Sequence, residues 1–244
     1  MTKYQKIILF ILLGYIVLVV SVYIYFFGYV PTNKHEHWRS FATYFSGLIG
    51  PLLSFAAFAA VLYTISQNEK NNKLQSAKNN IIKQIEFHNN ILNGLSLTIG
   101  KSNIKKGREV FEYLFDKGLR TTYEEAVSII KTKNEPLRIE TAYINLFEQQ
   151  GGTFGYYFRN LYRVVKYIDQ SDIAESEKIE YSKLLRAQLS KHEILMLFYN
   201  SMSSKGKEKF YDLVVNHSLL KEIEAEHLLA ETHWNLYPKK AYGL

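Results

Sequence analysis

Arg186 and His192 are separated by five residues. An imidazole titrates near neutral pH and a guanidinium carries a fixed positive charge, so the two are candidates for chemistry if the fold brings them together. His192-Glu193 also begins like a zinc-protease helix, but the position for the second His is Met196, and that motif fails. His227, Glu231 and His233 lie at roughly helical spacing and could hold a metal; scattered surface groups account for them equally well. Gly94 to Ser102 ends in Gly100-Lys101-Ser102 like a phosphate loop, yet five residues, not four, separate its glycines, and no strand precedes it. Neither a Gly-x-Ser-x-Gly elbow nor a dinucleotide-binding glycine pattern occurs. With no cysteine there can be no disulfide framework, thiolate zinc site, iron–sulfur centre or cysteine nucleophile. The expectation is a protein that is not an enzyme, with no catalytic, metal or cofactor-binding residue.

The elements that would position these groups begin with two charge-free stretches. The chain has 244 residues, 47% of them apolar, and a formal charge of +7. The 27 residues between Lys6 and Lys34 contain no Asp, Glu, Lys or Arg, and their core, 7–29, is long enough to cross a bilayer. The run exceeds the apolar region of a cleaved signal peptide and ends in Tyr23, Tyr25, Phe26, Phe27 and Tyr29, an interfacial aromatic belt. A second span is expected over 41–67, with Pro51 marking a helix start or a kink. From Leu52 to Asn93 there is neither Gly nor Pro, so the second span can run on as one long helix.

Ser46, Gly50, Ser54, Ala57 and Thr64 draw a small-residue stripe that lets another helix approach closely in lipid. The partner helix is either the first span of the same chain or a second copy. Lys3 and Lys6 precede the first span and Lys70, Lys73, Lys78 and Lys83 follow the second, against Lys34 and Arg39 in the connecting loop. The positive-inside rule then puts both termini of a two-pass membrane protein in the cytoplasm, with a short loop outside. The four lysines suit an anionic leaflet, which makes membrane lipid an expected partner.

From Glu69 onward, 26 Lys and Arg face 22 Asp and Glu, so the balance gives a nucleic-acid surface little support. No stretch alternates apolar and polar residues for long, and helical spacing recurs throughout. Leu74, Ile81, His88 and Leu95, with Ile85, Leu92 and Ile99, form a heptad-like stripe that is either a coiled coil or a core face. Thr122 with Glu125, Asp172 with Glu175, and Ser190 with Glu193 read as helix starts, and Leu189 can staple onto Ile194. Pro136 and Gly151-Gly152 read as breaks, and final helices are expected at about 206–216 and 218–230. The fold expected is all-α: a transmembrane hairpin over 1–68, a helical extension (a coiled coil or a core face) over 69–104, and a helical cytoplasmic domain over 105–244.

Two resemblances bear on function. The Arg186–His192 spacing resembles the loose Arg-x(4–6)-His pattern of HEPN-type helical ribonucleases, which implies a proton-transfer role for the His and phosphate stabilisation by the Arg. A longer resemblance, over roughly 40–220, is to the putative phage abortive infection protein family. It rests on Phe41 to Gln67 with its Gly-x-x-Gly-Pro, on Phe87-His88-Asn89-Asn90-Ile91, and on Gly107-Arg108-Glu109-Val110-Phe111. Its most specific stretches are Tyr157-Phe158-Arg159-Asn160-Leu161-Tyr162-Arg163 through Asp169, and Leu185-Arg186-Ala187-Gln188-Leu189-Ser190 through Asn200. Where the family carries a Gly-Asp pair early in the second span, this chain has Thr43-Tyr44-Phe45-Ser46, and His192 falls at a variable position.

That resemblance implies antiphage defence by abortive infection. Arg159, Asn160, Arg186, Gln188, Ser190 and Asn200 are the polar members of its best motifs, as internal hydrogen-bonders or as partner contacts. The leading expectation is a membrane effector: the helical domain senses infection, and the hairpins assemble through Ser46, Gly50, Ser54 and Ala57 to perturb the membrane. A homo-oligomer, with a companion defence protein or a phage-derived trigger, would follow. The alternatives are a membrane-tethered ribonuclease using Arg186 and His192, or a non-catalytic anchor that recruits another defence component.

Overall fold

The computed structural model describes residues 3–28 and 35–244. Tyr29 of the expected aromatic belt and Lys34 of the loop lie outside the described residues. The chain divides into two compact units, Met1–Asn72 and Lys73–Leu244.

In the first unit, α1 runs from Lys3 to Phe27, and α2, His35–Gly94, begins well before Pro51 and passes through it. Pro51 is therefore not a helix start. Both helices carry windows long and apolar enough to cross a membrane, and only 6% of each window is buried. They touch through aromatic rings: Tyr23 lies 4.9 Å from Phe41 and 5.3 Å from Tyr44, centroid to centroid, and the Tyr44 hydroxyl points to the Val19 carbonyl at 3.5 Å. Val19 and Ile49 are buried. The hydroxyls of Ser21, Thr43, Ser46 and Thr64 donate to carbonyls three or four residues back, so they carry no unpaired donor outward.

The second unit is helical but for one hairpin. Ile81, Ile85, His88 and Leu92 of α2 are buried in its core, which resolves the heptad-like stripe as a core face there. The helix ends at Gly94, and Ser96–Ile99 (β1) pairs antiparallel with Asn103–Lys106 (β2). Gly100, at φ 63°, opens the three-residue turn, so the segment that mimics a phosphate loop is the end of α2, strand β1 and the hairpin turn. This corrects the expected helical extension to residue 104. The hairpin is too short for an alternating pattern to stand out.

Helix α3 (Arg108–Tyr113), a π-helical turn (Leu114–Leu119) and α4 (Arg120–Ile129) follow without a break. Thr122 therefore lies inside α4, its hydroxyl donating to the Leu119 carbonyl, and it caps nothing. A Cβ on Gly118 would come within 2.8 Å of Leu146 Cδ1, so glycine lets the π-turn close on the next helix.

Helix α5 spans Glu135–Gln170, with Asn134 capping through the Leu137 N–H and Pro136 in its first turn. It does not break at Gly151-Gly152. The Phe147 ring lies along the helix where a Cβ on Gly151 would meet it at 2.9 Å, so this glycine makes room for an aromatic ring. Its buried face includes Phe154, Phe158, Leu161, Val165 and Ile168, as their spacing predicts.

Helix α6, Glu175–Arg186, is capped at Ala174 with Glu177 closing back, not at Asp172. Helix α7, Lys191–Met202, opens with the expected Ser190–Glu193 box and is buried on every side from Glu193 to Ser201. Such a helix belongs at the centre of a core. Helix α8 covers Lys207–Asn216. The expected last helix does not form. Turns and short 3-10 segments at Ala225–His227, Glu231–Leu236 and Lys239–Tyr242 replace it. They are held by Trp234 stacked 3.7 Å from Tyr242 and by the Tyr237 hydroxyl, 2.7 Å from Ser201 Oγ.

Candidate functional site in the helical unit

Most of the polar motif residues are built into the framework of the second unit. Asn160 of α5 accepts from His88 Nδ1 at 3.0 Å. That bond fixes the proton on Nδ1 and leaves His88 Nε2 buried with no partner. Burial drives the His88 imidazole down to about 4, against the pull of Asn160, so the ring is neutral at physiological pH. Gln188 accepts from Asn89 at 3.3 Å through its side chain and from Arg108 at 2.8 Å through its carbonyl. Asn200 donates to the Tyr143 hydroxyl at 2.7 Å. Ser190 caps α7. Arg159 is exposed and pairs with nothing among the described residues.

Beside these lies a pairing that no motif announces. Buried Glu193, which closes the α7 cap through the Ser190 N–H at 2.8 Å, also accepts a hydrogen bond from the Tyr157 hydroxyl and lies 3.5 Å from Arg108. Burial first, and then the Glu193 charge, push the Tyr157 phenol well above its usual range. A second network joins His233 to Tyr199 (2.9 Å), to Glu135 (3.2 Å) and to Tyr123 (3.2 Å). The Glu135 carboxylate only accepts, so the neutral His233 ring carries its proton on Nε2 and its Nδ1 accepts from the Tyr199 hydroxyl, which itself accepts the Leu229 N–H. Both ring nitrogens of His233 are thereby spent, and His233 does not join His227 and Glu231 around a metal. His227 instead lies near Glu224 and Glu226, with ligand atoms within 4.8 Å of one another, on a largely exposed segment.

Arg186 and His192 are turned to different partners. His192, in the first turn of α7, lies 3.5 Å from Asp116. Arg186, the last residue of α6, donates to the Ser218 carbonyl at 3.0 Å, with Glu222 at 3.9 Å. Arg186 instead lines a cavity of about 400 Å³ between α6, the end of α8 and the C-terminal segment. A histidine that sequence spacing does not single out, His217, sits in its wall, with Nδ1 2.7 Å from Ser182 Oγ and Nε2 3.1 Å from Asp169. These three residues come from α6, from the turn after α8 and from α5, separations of 35 and 48 residues that carry no local signal. Although Ser, His and Asp line up, the Ser182 hydroxyl is buried and donates to the Lys178 carbonyl at 2.8 Å, a poor arrangement for a nucleophile. Ser218, at φ 50°, is the non-glycine residue in the left-handed region among those described, and it turns its carbonyl to Arg186.

In the first unit, Ser46, Ser54 and Ala57 are exposed and Gly50 is half-buried; a Cβ on Gly50 would meet nothing within 4 Å. The stripe does not pack on α1 in this structure.

Comparison with known proteins gives one match. No curated protein and no solved structure matches the chain. Residues 148–228, from the second half of α5 through α8 and into the segment beyond it, match the family described as Putative phage abortive infection protein. All six polar motif residues fall within that range, whereas the stretches at 41–67, 87–91 and 107–111 lie outside it. Over residues 148–228, about a third of its length, the chain is thus similar to the putative phage abortive infection protein family, which supports the resemblance and a role in phage defence.

Proposed function

We propose that the protein is a membrane effector of abortive infection rather than an enzyme. The observation that carries this reading is the surface of the first unit. Phe10 is 79% exposed, Phe55 70% and Phe58 60%, within the stretches 7–27 of α1 and 40–68 of α2 that hold no Asp, Glu, Lys or Arg. A water-soluble monomer does not leave so much contiguous apolar surface bare, whereas lipid tails solvate it. The chain then crosses the bacterial inner membrane twice, with both termini in the cytoplasm, a reading the lysine distribution supports.

Assembly through Ser46, Gly50, Ser54 and Ala57 is supported by the exposure of that face and by one hydroxyl. Ser54 makes no hydrogen bond among the described residues, unlike Ser46 and Thr64. In lipid, a donor on a neighbouring copy gains from such a partner. The helical unit then senses a companion protein or a phage-derived trigger, and the assembled hairpins breach the membrane.

The test is membrane potential, followed by dye in infected bacteria that make the protein and in cells that lack it. Depolarisation before lysis is expected, and Gly50→Leu with Ser54→Leu should abolish it at normal expression. An intact potential during protective growth arrest would overturn the membrane as target and leave the hairpin as a tether.

A further inference from the structure

The cavity around Arg186 carries an uneven set of charges. Lys178, Lys183, Arg186, Lys221 and Lys240 line it, against the carboxylates Asp169 and Glu175. Both carboxylates are engaged, Glu175 by Lys178 at 2.9 Å and Asp169 by His217 at 3.1 Å. Lys183 is held by Glu180 on its own helix. Arg186, Lys221 and Lys240 remain. Lys221 and Lys240 pair with no carboxylate among the described residues, and Lys240 reaches only the Asn216 side-chain oxygen at 2.6 Å. Arg186 is 11% exposed, yet its one hydrogen bond goes to a carbonyl, and Glu222 is distant at 3.9 Å.

Cations gathered in a concave, partly desolvated site, two of them without a carboxylate partner, repel one another and raise the local concentration of anions. A guanidinium with most of its donors unused matches the oxygens of a phosphoryl group, which it can hold with two parallel hydrogen bonds. The volume is that of a small-molecule site, and apart from Ile179 and Gly243 its lining residues carry polar or charged side chains, unlike an apolar ligand pocket. The backbone is committed to this arrangement. Ser218 adopts a strained conformation that aims its carbonyl at Arg186, while its hydroxyl donates to the Lys240 carbonyl at 2.8 Å. One residue thus ties the arginine of α6 to the lysine-bearing C-terminal segment.

We propose that this cavity binds a phosphorylated small molecule, with the phosphoryl group held by Arg186 and by Lys221 and Lys240. The inference depends neither on the spans nor on membrane damage. A soluble phosphate compound and a phospholipid headgroup share the required chemistry, and the probes separate them.

Full-length protein in a neutral detergent is titrated with inorganic phosphate, with adenosine triphosphate, and with phosphatidylglycerol against phosphatidylcholine in mixed micelles. Heat of binding and thermal midpoint are both read. Saturable binding is expected, and Lys221→Glu with Lys240→Glu should weaken it at least ~tenfold, as should Arg186→Lys, which keeps the charge and loses the fork. The charge-matched pair Lys117→Glu with Lys131→Glu should leave affinity unchanged. A response to phosphate or nucleotide assigns a soluble ligand; a response confined to phosphatidylglycerol assigns the headgroup. No saturable binding of any probe at millimolar concentration overturns the proposal. So does equal weakening by the two charge-reversal pairs, which would reduce the effect to overall charge. Circular dichroism of each variant establishes that a loss of binding is not a loss of fold.

Discussion

The Tyr157 hydroxyl of α5 donates to the Glu193 carboxylate of α7, and both side chains are buried. The same carboxylate closes the α7 N-cap and approaches Arg108 on α3, so one side chain ties three helices together. Removing the phenol oxygen leaves a buried acceptor short of a partner. Tyr157→Phe should lower the unfolding free energy by about 2 kcal/mol, read from the denaturant midpoint of the detergent-solubilised chain. An unchanged midpoint would show that Ser190 and Arg108 suffice for Glu193.

His88 makes stability depend on acidity. The folded ring titrates near 4 because burial disfavours its charged form, whereas in the unfolded chain it titrates near 6.5. As pH falls through 6.5, the unfolded state therefore binds a proton that the folded state refuses. The stability contributed by the neutral ring is present in full above 6.5, declines on the way to 4 and is level below. The total loss is on the order of 3 kcal/mol. Burial depresses His233 in the same direction. His88→Gln, which does not titrate, should show a shallower decline in thermal midpoint over that window; a parallel decline would assign the effect elsewhere.

Gly206 sits against Asn200. A Cβ there would fall 2.6 Å from the Asn200 carbonyl oxygen and 2.8 Å from its side-chain oxygen. Gly206→Ala must push α8 away or turn Asn200 from Tyr143, at a cost of about 2 kcal/mol. The thermal midpoint checks this. A rise, of the kind that reduced backbone freedom gives an alanine, would mean that the turn between α7 and α8 has room to spare.

His192 bears on the ribonuclease alternative. Its contact with Asp116 is long and partly exposed, so His192→Ala should change stability by about 0.5 kcal/mol or less. Protection against phage and cellular RNA integrity should both match those of the parent protein. Loss of protection by a folded His192→Ala protein would restore a proton-transfer role to this residue.

Helices whose pattern repeats over several turns were legible in the residues, as were starts with local chemistry. The apolar face of α5 and the Ser190–Glu193 box are examples, since each is written within a few positions. Signals shared by caps and interiors misled. Thr122 donates to its own helix, and Gly151 serves the Phe147 ring rather than a break. The small hairpin escaped because four-residue strands leave too little alternation to read. The Arg186 cavity was only half visible. Arg186 belongs to a recognisable motif, but Ser182, His217 and Asp169 meet through packing across three elements. No spacing rule links residues that far apart.

Helix α7 is covered on every side, and part of its cover is made after it. Ser201 waits for Tyr237, 36 residues later, and Tyr199 for Leu229 and His233, 30 and 34 residues on. During synthesis, a run of Ile194, Leu195, Met196, Leu197 and Phe198 thus leaves the ribosome before α8 and the closing turns exist to shelter it. The nascent chain passes through a stage in which this apolar helix is only partly sheltered, the kind of exposure that chaperones answer. Yield of intact protein should therefore depend on holding capacity in the cell as well as on the final fold.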